Sequence, residues 1–484
     1  MSQVGKVYLV GAGPGDPGLI TLKGIECLRQ ADVALYDYLV NPEILEHLPA
    51  DAARVCLGRH GRGKMISQEE IVERLIQSAQ SGETVVRLKS GDPMIFGRVS
   101  EEVPPLLEAG IPVEIVPGVT AACATGSYAG VPLTDRDEAS AFAVVTGREG
   151  DHKSESSLDF EALARFPGTL AFYMGLVTAE KWSRALIAAG KPADTPVAAV
   201  RRCSWPDQET VRCRLDELPQ AIEQHRLRPP VVVIVGSVAG DGKLGSWFTD
   251  RPLFGQRILV TRPAGQAKTL QDKFRRAGAE ATSQPAIEIG PPSDWSEVDD
   301  AVRRLRDFDW LLFTSSNGAR FFLERMWELG LDGRALGETR VAAVGPGTAE
   351  ELARRNLRAD LTPNGPHRAE TLAAALAKDA RGKRFLFARA DRGREVLAET
   401  LVEAGGVVEQ PAVYVSSDVA EARPEVVEAL RSGRIDWITV TSSAIARSLR
   451  QLFGDDLHKA KLASLSPLTS ETLRECGVGP AAEA

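Results

Sequence analysis

The stretch from Lys6 to Lys23, KVYLVGAGPGDPGLITLK, is an apolar strand, a loop with Gly or Pro at almost every position, and the start of a helix. Gly11, Gly13, Gly15 and Gly18 let backbone approach a ligand with no Cβ in the way, while Pro14 and Pro17 fix the path and remove amide donors. A dinucleotide fingerprint is the nearest generic pattern, and an acid, Asp37, ends the next strand at about the twenty-residue distance that pattern uses. Its third glycine, however, falls on Asp16, an anion where a pyrophosphate would sit, and the prolines have no N–H to hold one. The loop is therefore expected to bind something other than a dinucleotide.

Further constellations follow along the chain. TVVRLK runs into SGDPMIFGR, a strand ending in a Gly-Asp-Pro loop that offers backbone donors and one fixed carboxylate, Asp92; the bland reading is an Asp-Pro turn. Asp37 in LYDYLV ends a strand, where an Asp is commonly a helix cap or turn residue. The loop LGRHGRGK sets Arg59, His60, Arg62 and Lys64 together, suiting an acidic substrate or simply forming a solvated basic turn. In the second half, DWLLFTSSNGARFF at Asp309 is echoed by DWITVTSSAIARSL at Asp436, and VGPGTAEELARR near Val344 by LSPLTSETLREC near Leu465. Each echo is a strand, a hydroxyl-rich or glycine-rich loop and a helix. Such loops either collect hydroxyls and free amides at a cleft suited to a flexible anion or cap their own helices.

These residues need scaffolding. At 484 residues the chain exceeds one core, so two to four domains are expected. Short Val/Ile/Leu strands alternate with amphipathic helices, the pattern of α/β sheets with ligands at the C-terminal ends of strands. Ten strands are expected in the first half (KVYLV, DVALYD, RVCLG, TVVRLK, VEIVPG, SAFAVVTG, TLAFYMG, PVAAVRR, ETVRCRL, PVVVIVG). That is too many for one small sheet, and a split between Pro117 and Gly130 makes two lobes with a cleft between. Ser67 with Glu70 forms a capping box that starts the helix SQEEIVERLIQSAQ. Val238 to Gln256, rich in Gly, Asp, Ser and Pro, reads as a linker.

A formal charge of −8 argues against nucleic acid or an anionic membrane as the main partner. The N-terminus shows no signal-peptide pattern and VVVIV is far too short to span a bilayer, so a cytoplasmic protein is expected. Six cysteines without a C-x-x-C pair read as reduced thiols, with no metal site in view.

GAGPGDPG followed by LITLKG resembles the opening signature of the tetrapyrrole methylases, and YDYLV, QEEI and GDPMIFGR narrow the resemblance to uroporphyrinogen-III C-methyltransferase over about Val4 to Gly240. The resemblance implies a two-lobed methylase fold that binds S-adenosylmethionine, with no metal, through Pro14, Ser90, Gly91, Asp92, Ile95, Thr120, Ala121, Met174 and Cys203. Ser90 stands where the family usually has glycine, as does Cys203 in the block before SWPDQ. Asp37 falls at the family's proton-acceptor position. Arg59 replaces the lysine proton donor, so either it binds substrate or the proton comes from His60, another group or water. A homodimer through this half is also implied.

From about Gly255 onward the order TRP, FTSSN, VGPGTA, FARADRGREVL, VTSSA resembles uroporphyrinogen-III synthase. That resemblance implies a second two-lobed α/β fold closing hydroxymethylbilane, with Thr348, Tyr414 and Thr469 as site residues and Tyr414 assisting the departing hydroxyl. Past LRECGV the family usually continues with a further strand and helix, whereas this sequence ends in GPAAEA, so the last lobe is expected to be short of its final element.

The expected arrangement is residues 1–240 as methyltransferase (lobes 1–117 and 118–240), 241–255 as linker and 256–484 as synthase. Within the synthase, lobe one is 256–290 plus 413–484 and lobe two 291–412. The implied function is the synthesis of uroporphyrinogen III and its double methylation to precorrin-2, for siroheme and cobalamin supply. A methylase of a later precorrin, or a silent tetrapyrrole-binding second half, remain alternatives.

Overall fold

The computed structural model describes residues 4–58, 66–149, 156–240 and 244–484. Two compact units divide the chain, Met1–Gln256 with Phe274–Glu280, and Arg257–Lys273 with Ala281–Ala484.

All ten strands expected in the first half form. β1 (Val7–Gly11), β2 (Val33–Tyr36), β3 (Ala53–Cys56), β4 (Val85–Lys89) and β5 (Val113–Val116) make one sheet in the order β3-β2-β4-β1-β5. Every pairing in it is parallel, so the loops leaving β1, β4 and β5 emerge side by side at one edge. β6 (Phe142–Thr146), β7 (Thr169–Tyr173), β8 (Pro196–Arg201), β9 (Glu209–Arg214) and β10 (Val231–Val235) make a second, mixed sheet in the order β6-β7-β10-β8-β9. The change of sheet falls between β5 and β6.

Helices cover these sheets and supply their cores. Ser67 caps the helix Gln68–Gln80 by accepting from Glu70 N at 3.2 Å. The returning arm of the capping box is absent: Glu70 turns instead to Arg74, one turn on, at 2.8 Å. The stretch read as a linker is anchored to the first unit. Phe248 is buried among Tyr128, Trp247 and Phe254, and Trp247 Nε1 and Ser246 Oγ donate to the carbonyls of Ser127 and Tyr128. Its aromatic residues outweigh the local Gly and Ser, because each large ring removed from water is worth about 1.5–3 kcal/mol.

The second unit also holds two sheets. β11 (Arg257–Val260), β12 (Glu280–Ser283), β19 (Trp437–Val440), β20 (Lys461–Ser464) and β21 (Ala482–Glu483) are ordered β12-β11-β19-β20-β21. β13 (Ile287–Gly290), β14 (Trp310–Phe313), β15 (Arg340–Ala343), β16 (Arg384–Ala390) and β18 (Ala412–Asp418) are ordered β13-β18-β16-β14-β15, with β17 (Val407–Glu409) on β16. β13 and β18 pair antiparallel from Ile287 opposite Asp418 to Gly290 opposite Val415. The chain therefore crosses between sheets near residues 286 and 419, a few residues outside the expected 290 and 413, and Tyr414 belongs to the middle sheet rather than to the terminal one. At the end of the sequence, Ala482–Glu483 adds in parallel to β20, with Ala482 opposite Ala463. No helix among the described residues is long and apolar enough to cross a membrane.

Candidate active sites

In the first unit the loops after β1, β4 and β5 interlock through their backbones. Gly13 and Gly91 exchange hydrogen bonds, at 3.2 and 2.8 Å. Asp92 fixes both sides of its own loop, Oδ1 accepting from Met94 N at 2.7 Å and Oδ2 from Gly118 N at 2.9 Å. The packing admits no side chain: a Cβ on Gly118 would lie 2.2 Å from the Gly91 carbonyl oxygen, and one on Gly11 2.5 Å from Gly118 N. Gly91, at φ +71°, leaves its Cβ side clear to 3.9 Å.

The second sheet closes this edge with polar side chains. Tyr173 OH, at the end of β7, lies 2.6 Å from Thr120 Oγ1 and accepts from Ala122 N at 2.6 Å. It thereby caps the helix Ala121–Tyr128, which Thr120 itself does not cap. Trp205 Nε1 donates to Pro14 O at 3.0 Å, and its ring lies where a Cβ on Gly15 would be. Asp16 accepts from Gly18 N and from Tyr128 OH, and its N–H donates to Ser204 Oγ. Asp16 is thus a clamp between loop and second sheet, which is why an anion occupies the third fingerprint position. Phe96, Met174 and Ser204 have left-handed backbones in this region, and Met94, Ile95, Phe96 and Met174 expose apolar surface.

Asp37 stands at the end of β2 beside this edge. Arg87 Nη2 donates to its Oδ1 at 2.6 Å, and behind Arg87 lie the buried Glu102 and Lys89, 2.6 Å apart. Burial, followed by the neighbouring charge of Arg87, pulls the Lys89 ammonium below its ordinary value.

In the second unit each echo is a strand followed by a helix N-cap. Ser315, Ser442 and Ser466 accept from Gly318 N, Ile445 N and Thr469 N. For these three serines the capping reading holds, so their hydroxyls are engaged locally. Tyr414 is 8% exposed, its ring stacks 5.9 Å from Phe321, and its OH is 3.1 Å from Ser315 Oγ. Burial pushes its phenol upward. Thr348 and Thr469 are buried in the first turns of the helices Pro346–Arg354 and Pro467–Glu475. Thr469 Oγ1 lies 3.0 Å from Ser466 Oγ. Gln266 Nε2 reaches Asn317 Oδ1 at 2.7 Å, joining the helix after β11 to the helix after β14.

Residues 6–219 match the tetrapyrrole (corrin/porphyrin) methylases and residues 268–484 match uroporphyrinogen-III synthase HemD. A porphyrin biosynthesis protein HemD of Ruminiclostridium josui is 36% identical over 445 residues, 91% of this chain and 87% of that one. The chain belongs to the tetrapyrrole methylases, joined to a uroporphyrinogen-III synthase half. The uroporphyrinogen-III C-methyltransferase of Bacillus subtilis is 36% identical over 351 residues, 72% of each chain. A uroporphyrin III C-methyl transferase structure from Thermus thermophilus shares 40% identity over 48% of this chain and 93% of that one, with a TM-score of 0.42.

Hydrogen bonds tie Pro14, Gly91, Asp92 and Thr120 of the methylase half into the interlocked loops, with Ala121 N facing Gly91, Ile95 N bonded to Asp92 O and Met174 following Tyr173. Ser90 lies between β4 and Gly91. Cys203 packs in the core with Ala122, Ala124 and Val200, and burial pushes its thiol up to about 12. Arg59, His60, Arg62 and Lys64 lie outside the described residues. The interlocked glycine backbones and the exposed Met and Ile side chains fit a polar amino-acid head and an apolar base, the two parts of S-adenosylmethionine. Sequence reading missed Tyr173 and Trp205, and also Arg87, Lys89 and Glu102. Two cations two residues apart in a central parallel strand, a place for continuous apolar residues, were the available signal for the last group.

Proposed function

We propose that the synthase half closes hydroxymethylbilane to uroporphyrinogen III and the methylase half methylates that product twice, to precorrin-2. The observation that carries the methylase reading is the Gly11–Gly91–Gly118 backbone cradle set beside an Asp37 held by the Arg87 guanidinium. S-adenosylmethionine supplies the methyl group as a sulfonium. The chain's own contribution is orientation and proton handling. Pro14, Ser90, Gly91, Asp92, Ile95, Thr120, Ala121, Met174 and the Cys203 backbone hold the donor, while Asp37 accepts the proton the substrate loses. Arg59 in this reading binds substrate carboxylates, because a guanidinium does not donate its proton.

In the synthase half, Tyr414 hydrogen-bonds the hydroxyl that leaves as water, with Ser315 beside it, and Thr348 and Thr469 hold the folded bilane. The protein acts in the cytoplasm as a homodimer through its methylase half, and its product feeds siroheme and cobalamin synthesis. The test is anaerobic incubation of the whole chain with hydroxymethylbilane and S-adenosylmethionine, resolving products by isomer and methylation. Dimethylated type III product is expected. Type I material alone, from spontaneous closure, would refute the synthase reading, and unmethylated type III the methylase reading.

A further inference from the structure

Four ionisable side chains, Asp37 just after β2, Arg87 and Lys89 on β4 and Glu102 on the helix that follows, form one charge-balanced array. Arg87 and Lys89 are two residues apart and so share a face of the sheet, where the helix Val99–Glu108 sets Glu102 against both. Glu102 is wholly buried and Arg87 and Lys89 nearly so, while Asp37, 32% exposed, alone reaches the surface. Glu102 Oε1 accepts from Lys89 Nζ at 2.6 Å, from Gln68 Nε2 at 2.9 Å and from Arg87 Nε and Nη2 at 3.4 Å. Its Oε2, also buried, has no donor. Arg87 makes its shortest bond to Asp37 Oδ1 and steadies its fork on Leu88 O at 3.2 Å.

Buried ion networks seldom stabilise a fold more than apolar residues of the same volume. The neighbouring β4 positions 85, 86 and 88 are Val, Val and Leu. What the charges provide is direction: the donors on Glu102 converge on one oxygen, and Arg87 is left with one orientation that meets one oxygen of Asp37.

We propose that Glu102 is a positioning residue for methyl transfer, fixing the Arg87 guanidinium so that Arg87 in turn presents the Oδ2 of Asp37 to the reacting carbon, with Lys89 balancing the charge of Glu102. This rests on Asp37 being the proton acceptor. The test uses the full chain, uroporphyrinogen III and S-adenosylmethionine under anaerobic conditions. Glu102→Gln is expected to lower kcat about 10- to 100-fold with KM for S-adenosylmethionine unchanged. Because Glu102→Gln strands the Lys89 charge in the core, Glu102→Gln/Lys89→Met serves as a charge-balanced second variant and should show the same kcat loss with parental thermal stability. In an Asp37→Ala background, Glu102→Gln should remove nothing further from the residual rate.

A loss that is additive with Asp37→Ala, a loss seen only in KM for S-adenosylmethionine, or a parental kcat in the charge-balanced variant would each overturn the positioning role. Asp37→Ala with parental kcat would instead overturn the proton-acceptor reading, and the positioning role with it.

Discussion

Gly118→Ala isolates the close approach of the three loops. The backbone at Gly118 is not left-handed, so alanine adds a methyl group without adding backbone strain. That methyl would meet the Gly91 oxygen at 2.2 Å and Gly11 Cα at 2.7 Å, about 1.2 and 0.7 Å short of the 3.4 Å at which ordinary contact begins. Both obstacles are backbone, so no side chain can swing aside and the loops must part. Overpacking of this kind costs about 1–3 kcal/mol of stability. A displacement of about 1 Å at a positioning site costs about 100-fold in rate. Calorimetric titration of the full chain with S-adenosylhomocysteine should therefore show binding weakened by more than about tenfold, or 1.4 kcal/mol. Gly265→Ala is the control, since nothing lies within 4 Å of its Cβ in the helix Ala264–Arg276. It should leave binding unchanged and raise stability by about 0.5–1 kcal/mol. Gly118→Ala with parental affinity and parental unfolding would refute the interlocked-loop account.

Three further outcomes follow from single contacts. Tyr128→Phe removes the hydrogen bond to Asp16 Oδ2 at 2.8 Å and should lower stability by about 1–2 kcal/mol in denaturant unfolding, part of a charged bond's worth because water reaches Asp16. Cys203, raised from 9.0 to about 12 by burial, stays protonated in the folded chain while the unfolded chain ionises above pH 9. Its contribution is therefore intact below pH 9 and is lost between pH 9 and 12. Cys203→Ala should reduce that alkaline decline in unfolding titrations, leaving the part due to Cys213, raised to about 11, and to the other thiols and phenols that burial raises, Cys27, Tyr128, Tyr173 and Tyr414 among them. Tyr414→Phe should bind bilane normally and form type III product about 100-fold more slowly, with type I rising in the product analysis.

Local patterns were readable because each reports on its own neighbourhood. Every expected strand of the methylase half is an aliphatic run bounded by Gly, Pro or charge, and β1 to β10 follow those runs. The repeated Thr-Ser-Ser loops announced two similar strand–helix units, and Ser315 and Ser442 start both helices in the same way. Contacts between distant segments left no such trace. Trp205 reaches Pro14 across 191 residues, Tyr128 reaches Asp16 across 112, and Tyr173 reaches Thr120, at the start of the helix it caps, across 53. The Asp37–Arg87–Glu102 line was hidden for the same reason, since periodicity reports which face a side chain takes and not which charge waits there. The region after Val238 misled because composition weighs Gly and Ser by number, whereas Phe248 and Trp247 decide its packing by area.

The strand order of the synthase half also dictates a schedule of assembly. The middle sheet takes all its strands from residues 287–418, one uninterrupted stretch. The terminal sheet cannot finish on those terms: β11 is the first strand of this half to be made, yet its parallel neighbour β19 is translated only after every strand of the middle sheet, with Thr261 and Thr439 bonded across 178 residues. A ribosome emitting this half thus releases a completed inner module while one edge of β11 still waits, unpaired and open to the wrong partner. The final stretch of polypeptide closes a sheet begun by the first, so premature termination would leave an early strand uncovered as well as a late one missing.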